Sequence, residues 1–202
     1  MFIVSCVVLS NDLYAQKPTA KTFLDLGVQN SQNAEYSEAI DAFQHAIKLK
    51  PDYAEAYYNL GHAYYYLHRY TEAFEAYKKA VKVNPGYEEA YIALGIISSM
   101  LRKYDEAIDA LKNAVTINPG NAEAFYNLGN VYMEIKKYEE SSEAYKQAVS
   151  IKPQFAEAHY HLGISYIKMG GMLKLAKQEY NILKKLNKDL AEELGRELGI
   201  VK

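Results

Sequence analysis

The stretch AEAYYNLGHAYYYLHRY, from Ala54 to Tyr70, decides how this chain folds. It holds six tyrosines, with Gly61 near its middle. Tyr57, Leu60, Gly61 and Tyr64 recur at spacings of three and four, which places them on one face of an α-helix. A glycine inside a helix costs about 1 kcal/mol relative to alanine, so Gly61 requires a compensating gain. On a buried stripe, a side chain there would hold two paired helices apart. Glu55, Asn59, His62 and Tyr66 point the opposite way, with Tyr58 and Tyr65 alongside. The first set reads as core and the second as a surface.

The glycine is one of a series. Gly27, Gly61, Gly95, Gly129 and Gly163 stand 34 residues apart, and Pro51, Pro85, Pro119 and Pro153 keep the same interval. Ala46, Ala80, Ala114 and Ala148 follow it, as do Tyr36, Tyr70, Tyr104 and Tyr138. Four residue types in one register indicate a stacked repeat array. Each period resolves into two helices. Ala73, Tyr77, Ala80 and Val81 share a face of the second, behind the short polar connection LHRYTEA. The segment KVNPG then breaks the chain, because proline lacks an N–H and disfavours helix in the residue before it. Glu88 and Glu89 open the next helix, where carboxylates complement the positive end of the helix dipole.

At these residues the sequence resembles the tetratricopeptide repeat family, whose pattern runs aromatic, Leu-Gly, Tyr, Ala, aromatic, Ala and Pro. The second repeat reads Tyr57, Leu60-Gly61, Tyr64, Ala73, Tyr77, Ala80 and Pro85; the fourth reads Phe125, Leu128-Gly129, Tyr132, Ser141, Tyr145, Ala148 and Pro153. Repeat one departs at Asn30, repeat three at Ser98 and Leu111. The resemblance implies an all-α protein, an α-solenoid wound as a right-handed superhelix of tandem helix-turn-helix units. The expected organisation is repeats at 20–53, 54–87, 88–121, 122–155 and 156–188, with a capping helix over 189–202. The fifth repeat slips by one residue: Gly163 to Ala176 spans 13 residues where Gly61 to Ala73 spans 12. Gly170 and Gly171 can absorb the altered turn. Beyond Lys188, Leu190, Leu194 and Leu198 form an apolar stripe, with Asp189 and Glu192 placed for a capping-box start.

In the family, the outward face of each first helix lines the concave side of the superhelix. The resemblance therefore implies a peptide-binding groove built from Glu55, Tyr58, Asn59, His62, Tyr65 and Tyr66 in repeat two. Ile92 and Ile96 continue it in repeat three, Tyr126, Asn127 and Asn130 in repeat four, and Tyr160 and Ile164 in repeat five. Such a strip is apolar and aromatic, suited to an amphipathic helix or an extended peptide. Asparagines at Asn59 and Asn127 can both donate to and accept from a peptide backbone. A clamp for a partner's carboxylates is not expected, because Glu55, Glu89, Glu123 and Glu157 occupy the helix-start positions where it would need lysine or arginine.

Other function classes find little support. The formal net charge is −2 with acidic and basic residues interleaved, which lacks the basic excess of nucleic-acid binding. No nucleophile elbow, phosphate loop or dinucleotide fingerprint occurs, so neither enzymatic activity nor a cofactor is expected. His159 and His161 resemble a metal pair, yet residues two apart on a helix do not face each other, and no metal is expected. The expected function is a non-catalytic scaffold that binds a peptide or helix of a partner protein. The alternatives are self-assembly, or a repeat subunit of a multiprotein enzyme such as a glycosyltransferase with catalysis on another chain.

Residues 1–16, MFIVSCVVLSNDLYAQ, read as a signal-like apolar segment too short for an ordinary membrane-spanning helix. Ala15 before Gln16 offers a cleavage point, though a positively charged start is missing and Leu13 is not small. The expectation is export to the periplasm or beyond if this is a truncated signal, and a cytoplasmic protein otherwise.

Overall fold

The computed structural model describes residues 17–200, and the signal-like segment 1–16 lies outside them. The described residues fold into eleven helices and no strand: α1 (Ala20–Gln32), α2 (Tyr36–Leu49), α3 (Ala54–Tyr66), α4 (Tyr70–Val83), α5 (Glu88–Met100), α6 (Tyr104–Ile117), α7 (Ala122–Glu134), α8 (Tyr138–Ile151), α9 (Ala156–Met169), α10 (Leu173–Leu186) and α11 (Lys188–Glu197). Helices α1 to α10 pair as five successive hairpins, each packed on the next. None of the described helices is long and apolar enough to cross a membrane.

Two local devices repeat along the array. The second helices end at Lys50, Asn84, Asn118 and Lys152, each immediately before a proline and each in an extended conformation with ψ of 88, 94, 90 and 85°. Steric conflict with the proline ring enforces that stop. The first helices end differently. His68 donates to the Tyr65 carbonyl and Arg69 to the Tyr64 carbonyl, both at 2.9 Å, the bond pair of a Schellman ending. That ending needs a left-handed residue, and Ala34, His68, Arg102 and Lys136 supply it at φ 61, 58, 58 and 61°. A non-glycine residue held there costs about 1 kcal/mol. The longer turn of repeat five uses Gly170 and Gly171, at φ 72 and 69°.

Gly61 is explained by a ring. A Cβ built on it would stand 2.6 Å from Cε1 of Tyr77, whose side chain crosses from α4 and lies flat against the α3 backbone. The same arrangement joins Gly27 to Phe43, Gly95 to Leu111 and Gly129 to Tyr145. Ala73 and Ala80 are fully buried, so the two backbones approach closely on both sides of the ring. Burying such a ring stabilises the pair by about 1.5–3 kcal/mol, which outweighs the glycine cost. Where repeat three lacks the tyrosine of position 64, Ser98 is buried and donates to its own helix at the Leu94 carbonyl, 2.6 Å away.

The fifth repeat breaks the rule. Gly163 is covered by Leu194 of α11, not by a residue of α10, with Cδ2 2.6 Å from the position a Cβ would take. Leu183, bulky where other repeats carry alanine, is fully buried against Ala191 and Leu194. The one-residue insertion thus makes room for the cap. The start of that helix differs from the sequence expectation. It opens at Lys188, and Asn187, not Asp189, is the N-cap, its side chain accepting from Asp189 and Leu190 N–H at 3.1 and 3.2 Å. No capping box with Glu192 forms, because the asparagine already satisfies both donors.

Candidate binding groove

Between the ends of α3 and α5 the array opens into a cleft of about 220 Å³. His62, Tyr65 and Tyr66 form one wall, Ala93, Ile96 and Ile97 the other, and Tyr77 the floor. Four residues expected at the groove therefore meet here: His62, Tyr65, Tyr66 and Ile96. Tyr66 is 55% exposed and Ile96 39%, so the cleft opens to solvent. The ring of Tyr66 stacks on Tyr36 at 4.8 Å and touches Tyr65 edge-on at 5.7 Å. A ring restrained on two sides loses little entropy on contact with a ligand.

Tyr58 is placed differently from the expectation. It is half-buried, 4.5 Å from His62, 5.0 Å from Tyr87 and 6.0 Å from Tyr77 between ring centroids. The residue is thus part of the packing beneath the cleft rather than its free rim. Burial lowers the pKa of His62, leaving a neutral imidazole on the cleft wall at pH 7. Burial, reinforced by the Tyr58, Glu89 and Glu55 charges, raises Tyr87 to about 12. Tyr57, read as core, is only half-buried and lines a second, shallower hollow with Leu60 and Tyr64 on the opposite side of α3.

A second aromatic group occupies the junction of repeats four and five. Tyr126 packs on Phe155 at 4.9 Å, and His161 stacks on Tyr145 at 5.6 Å with the rings 20° from parallel. The Tyr145 hydroxyl donates to Asn130 Oδ1 at 2.7 Å. Asn130 is therefore engaged internally. Tyr160 meets His161 edge-on, and with Ile164 it packs against the α11 side of the array, so the cap partly covers the two groove positions expected in repeat five.

Among the polar candidates, Asn59 donates to the Glu55 carbonyl at 2.9 Å, leaving one N–H and its oxygen free; Asn127 and Ile92 are half-buried. Glu55 is exposed. Glu88, read as a dipole partner, also accepts from the side-chain amides of Asn118 and Asn121. That link ties the start of α5 to the turn between α6 and α7, and no sequence signal announced it. The histidine pair also separates: His159 is buried, its Nδ1 2.6 Å from Glu179 and its Nε2 3.0 Å from the Pro153 carbonyl, while His161 faces Tyr145. Among the described residues no three His, Cys, Asp or Glu side chains converge as a metal site would require.

This geometry, with five stacked hairpins, a glycine under each second-helix side chain in repeats one to four, and a cleft on the first helices, agrees with the sequence comparisons. The family profile described as TPR repeat matches residues 32–67, 102–136 and 129–170, and profiles described as tetratricopeptide repeat match 54–87, 76–109 and 157–189. The chain belongs to the tetratricopeptide repeat family. No curated protein matches it significantly. Among solved structures, this tetratricopeptide repeat protein is similar to MamA, at 30% identity and a TM-score of 0.77 over 83% of this chain and 97% of that one. MamA residues 41 to the end from Desulfovibrio magneticus RS-1 share its fold at 24% identity and a TM-score of 0.76, over 84% and 96% of the two chains. So does YrrB, described as a TPR protein with an unusual peptide-binding site, at 23% identity and a TM-score of 0.74 over 90% and 94%.

Proposed function

We propose that this tetratricopeptide repeat protein is a non-catalytic scaffold that holds a peptide or helix of a partner protein along its first helices, with the α3–α5 cleft as the main anchoring point. The observation that carries this reading is the cleft itself: open, lined by His62, Tyr65, Tyr66 and Ile96, and floored by Tyr77. Exposed apolar surface of this kind is costly in water and gains most from a complementary side chain. Aromatic walls are also enriched where binding energy concentrates. The fold shared with YrrB is consistent with such use.

The test is capture of a partner from native extract by the full chain and by a Tyr65→Ala/Tyr66→Ala variant. Capture should be lost in the variant while a single cooperative melting transition persists, since Tyr66 is 55% exposed and Tyr65 only partly buried. Tyr58 is left intact, because its contacts with Tyr77 and Tyr87 are structural. Undiminished capture would end the proposal. Light scattering decides the rival of self-assembly: a mass that does not change with concentration removes it. Export through residues 1–16 remains a proposal of its own, tested by mass spectrometry of the native N-terminus, where an intact Met1 would refute it.

A further inference from the structure

Charge along the first helices identifies the chemistry of the occupant more closely. Helices α3, α5, α7 and α9 each carry an exposed glutamate at the second position: Glu55, Glu89, Glu123 and Glu157. Among the described residues none of the four closes a salt bridge; the bridges formed are Lys21–Asp25, Arg69–Glu72, Lys137–Glu140, Lys146–Glu143 and His159–Glu179. On the outward positions of the five first helices, Asp25 and Glu134 add to these four, against Lys21 and Lys168 alone. Lys21 is already held by Asp25 at 3.0 Å. This side of the array is thus more acidic than the chain as a whole, whose net charge is −2.

Two of these glutamates, Glu55 and Glu89, act on the aromatic residues packed beneath the cleft. The Glu89 charge helps to raise the pKa of Tyr58, behind burial, and Glu55 and Glu89 both act on Tyr87. Along α5, Glu89 precedes Ala93 and Ile96 by four and seven residues, which is about 6 to 10 Å at 1.5 Å per residue. An extended peptide covers that distance in roughly two or three residues. The cleft, at about 220 Å³, exceeds the roughly 150 Å³ cavity that accepts benzene, so it has room for one aromatic or branched aliphatic side chain.

Resting on the groove reading above, we infer that the occupant is a cationic segment: one aromatic or branched apolar side chain seated between His62, Tyr66 and Ile96, and a lysine or arginine two or three residues away against Glu55 or Glu89. The apolar anchor supplies affinity by leaving water. The basic flank supplies selectivity and on-rate, since acidic segments are repelled along the whole row.

Selection of random peptides displayed on phage against the full-length chain tests this. Recovered peptides are synthesised and titrated against the wild type, an Ala93→His variant that fills the cleft, and a Glu55→Gln/Glu89→Gln variant. Histidine is compatible with that position, because His161 occupies the equivalent place in repeat five. The expected peptides carry an apolar anchor with a basic residue two or three positions away. Their affinity should fall about tenfold or more in Ala93→His, as for loss of a buried anchor, and roughly fivefold at low salt in the glutamine variant, with that second loss fading at high salt. Peptides blocked by Ala93→His but without basic residues, and indifferent to the glutamines, overturn the charge inference and leave the groove reading standing. If no recovered peptide is sensitive to Ala93→His, both fall.

Discussion

The junction of repeats two and three and the junction of repeats four and five are built on the same scaffold and end in opposite states. Tyr77 and Tyr145 both lie across a first-helix glycine. Opposite Tyr77 the next first helix presents Ala93, and a cleft remains. Opposite Tyr145 the corresponding residue is His161, which stacks on the ring at 5.6 Å. The hydroxyl differs as well. Tyr145 donates to Asn130, whereas among the described residues no hydrogen bond reaches the Tyr77 hydroxyl and His62 meets that ring edge-on at 5.5 Å. A single side chain at one repeat position thus decides whether an aromatic floor is covered or left for a ligand.

Four measurements would break or sharpen that contrast. The largest effect belongs to Tyr145→Ala, which removes a fully buried ring and leaves Asn130 and His161 without their partner. Urea unfolding should show a loss of about 3–5 kcal/mol. His161→Ala should cost about 1–2 kcal/mol through lost stacking and a new cavity, and it should open a second cleft over Tyr145, detectable as a pocket in a crystal structure. If the backbone instead collapses onto the gap, the equivalence of the two junctions is wrong. Removing only hydroxyls separates the sites further. Tyr145→Phe should lose about 1 kcal/mol and Tyr77→Phe almost nothing, by the same unfolding assay. Opposite in sign are His68→Gly and Arg102→Gly, which relieve left-handed strain next to the open junction. Each should raise stability by roughly 0.5–1 kcal/mol, without changing the cleft.

Proton titration offers a further reading of the same regions. Burial lowers the pKa values of His62 and His161. Burial also pulls His159 down, but its hydrogen bonds to Glu179 and to the Pro153 carbonyl, with the Glu179 charge, outweigh this and raise it. Both ring nitrogens of His159 face acceptors, an arrangement that favours the protonated ring. The signs are opposite. His159 contributes stability that is complete below its unfolded pKa and is lost as pH rises through the raised folded value. His62 and His161 contribute above the ordinary pKa of 6.5 and lose that contribution as pH falls below it. Histidine ring signals followed by NMR should therefore titrate His159 above 6.5 and the other two below; Glu179→Gln should bring His159 down.

Much of the architecture was written in the 34-residue period. Proline stops, small residues on facing helices and glycines on a buried stripe are local or pairwise requirements, and a sequence displays them directly. The first-helix face was legible to the same extent, since helical spacing separates Tyr64 from Tyr66. Less legible was how deeply each outward residue sinks. Tyr58 lies against Tyr77 and Tyr87, one from the following helix α4 and one from the connection between α4 and α5, and their convergence is set by how hairpins stack. The start of the cap was misplaced by one residue for a related reason: Asn187 and Asp189 are both good caps, and the burial of Leu183 and Leu194 selects between them.

The sequence by itself determined that this chain is an array of helical hairpins closed by a final helix, because turn chemistry and apolar spacing act over a few residues and repeat. Only the tertiary structure decided where that array is open. A cleft is a space left between side chains of three helices, and whether it stays empty depends on the size of one residue, Ala93 or His161, relative to neighbours far away in the chain.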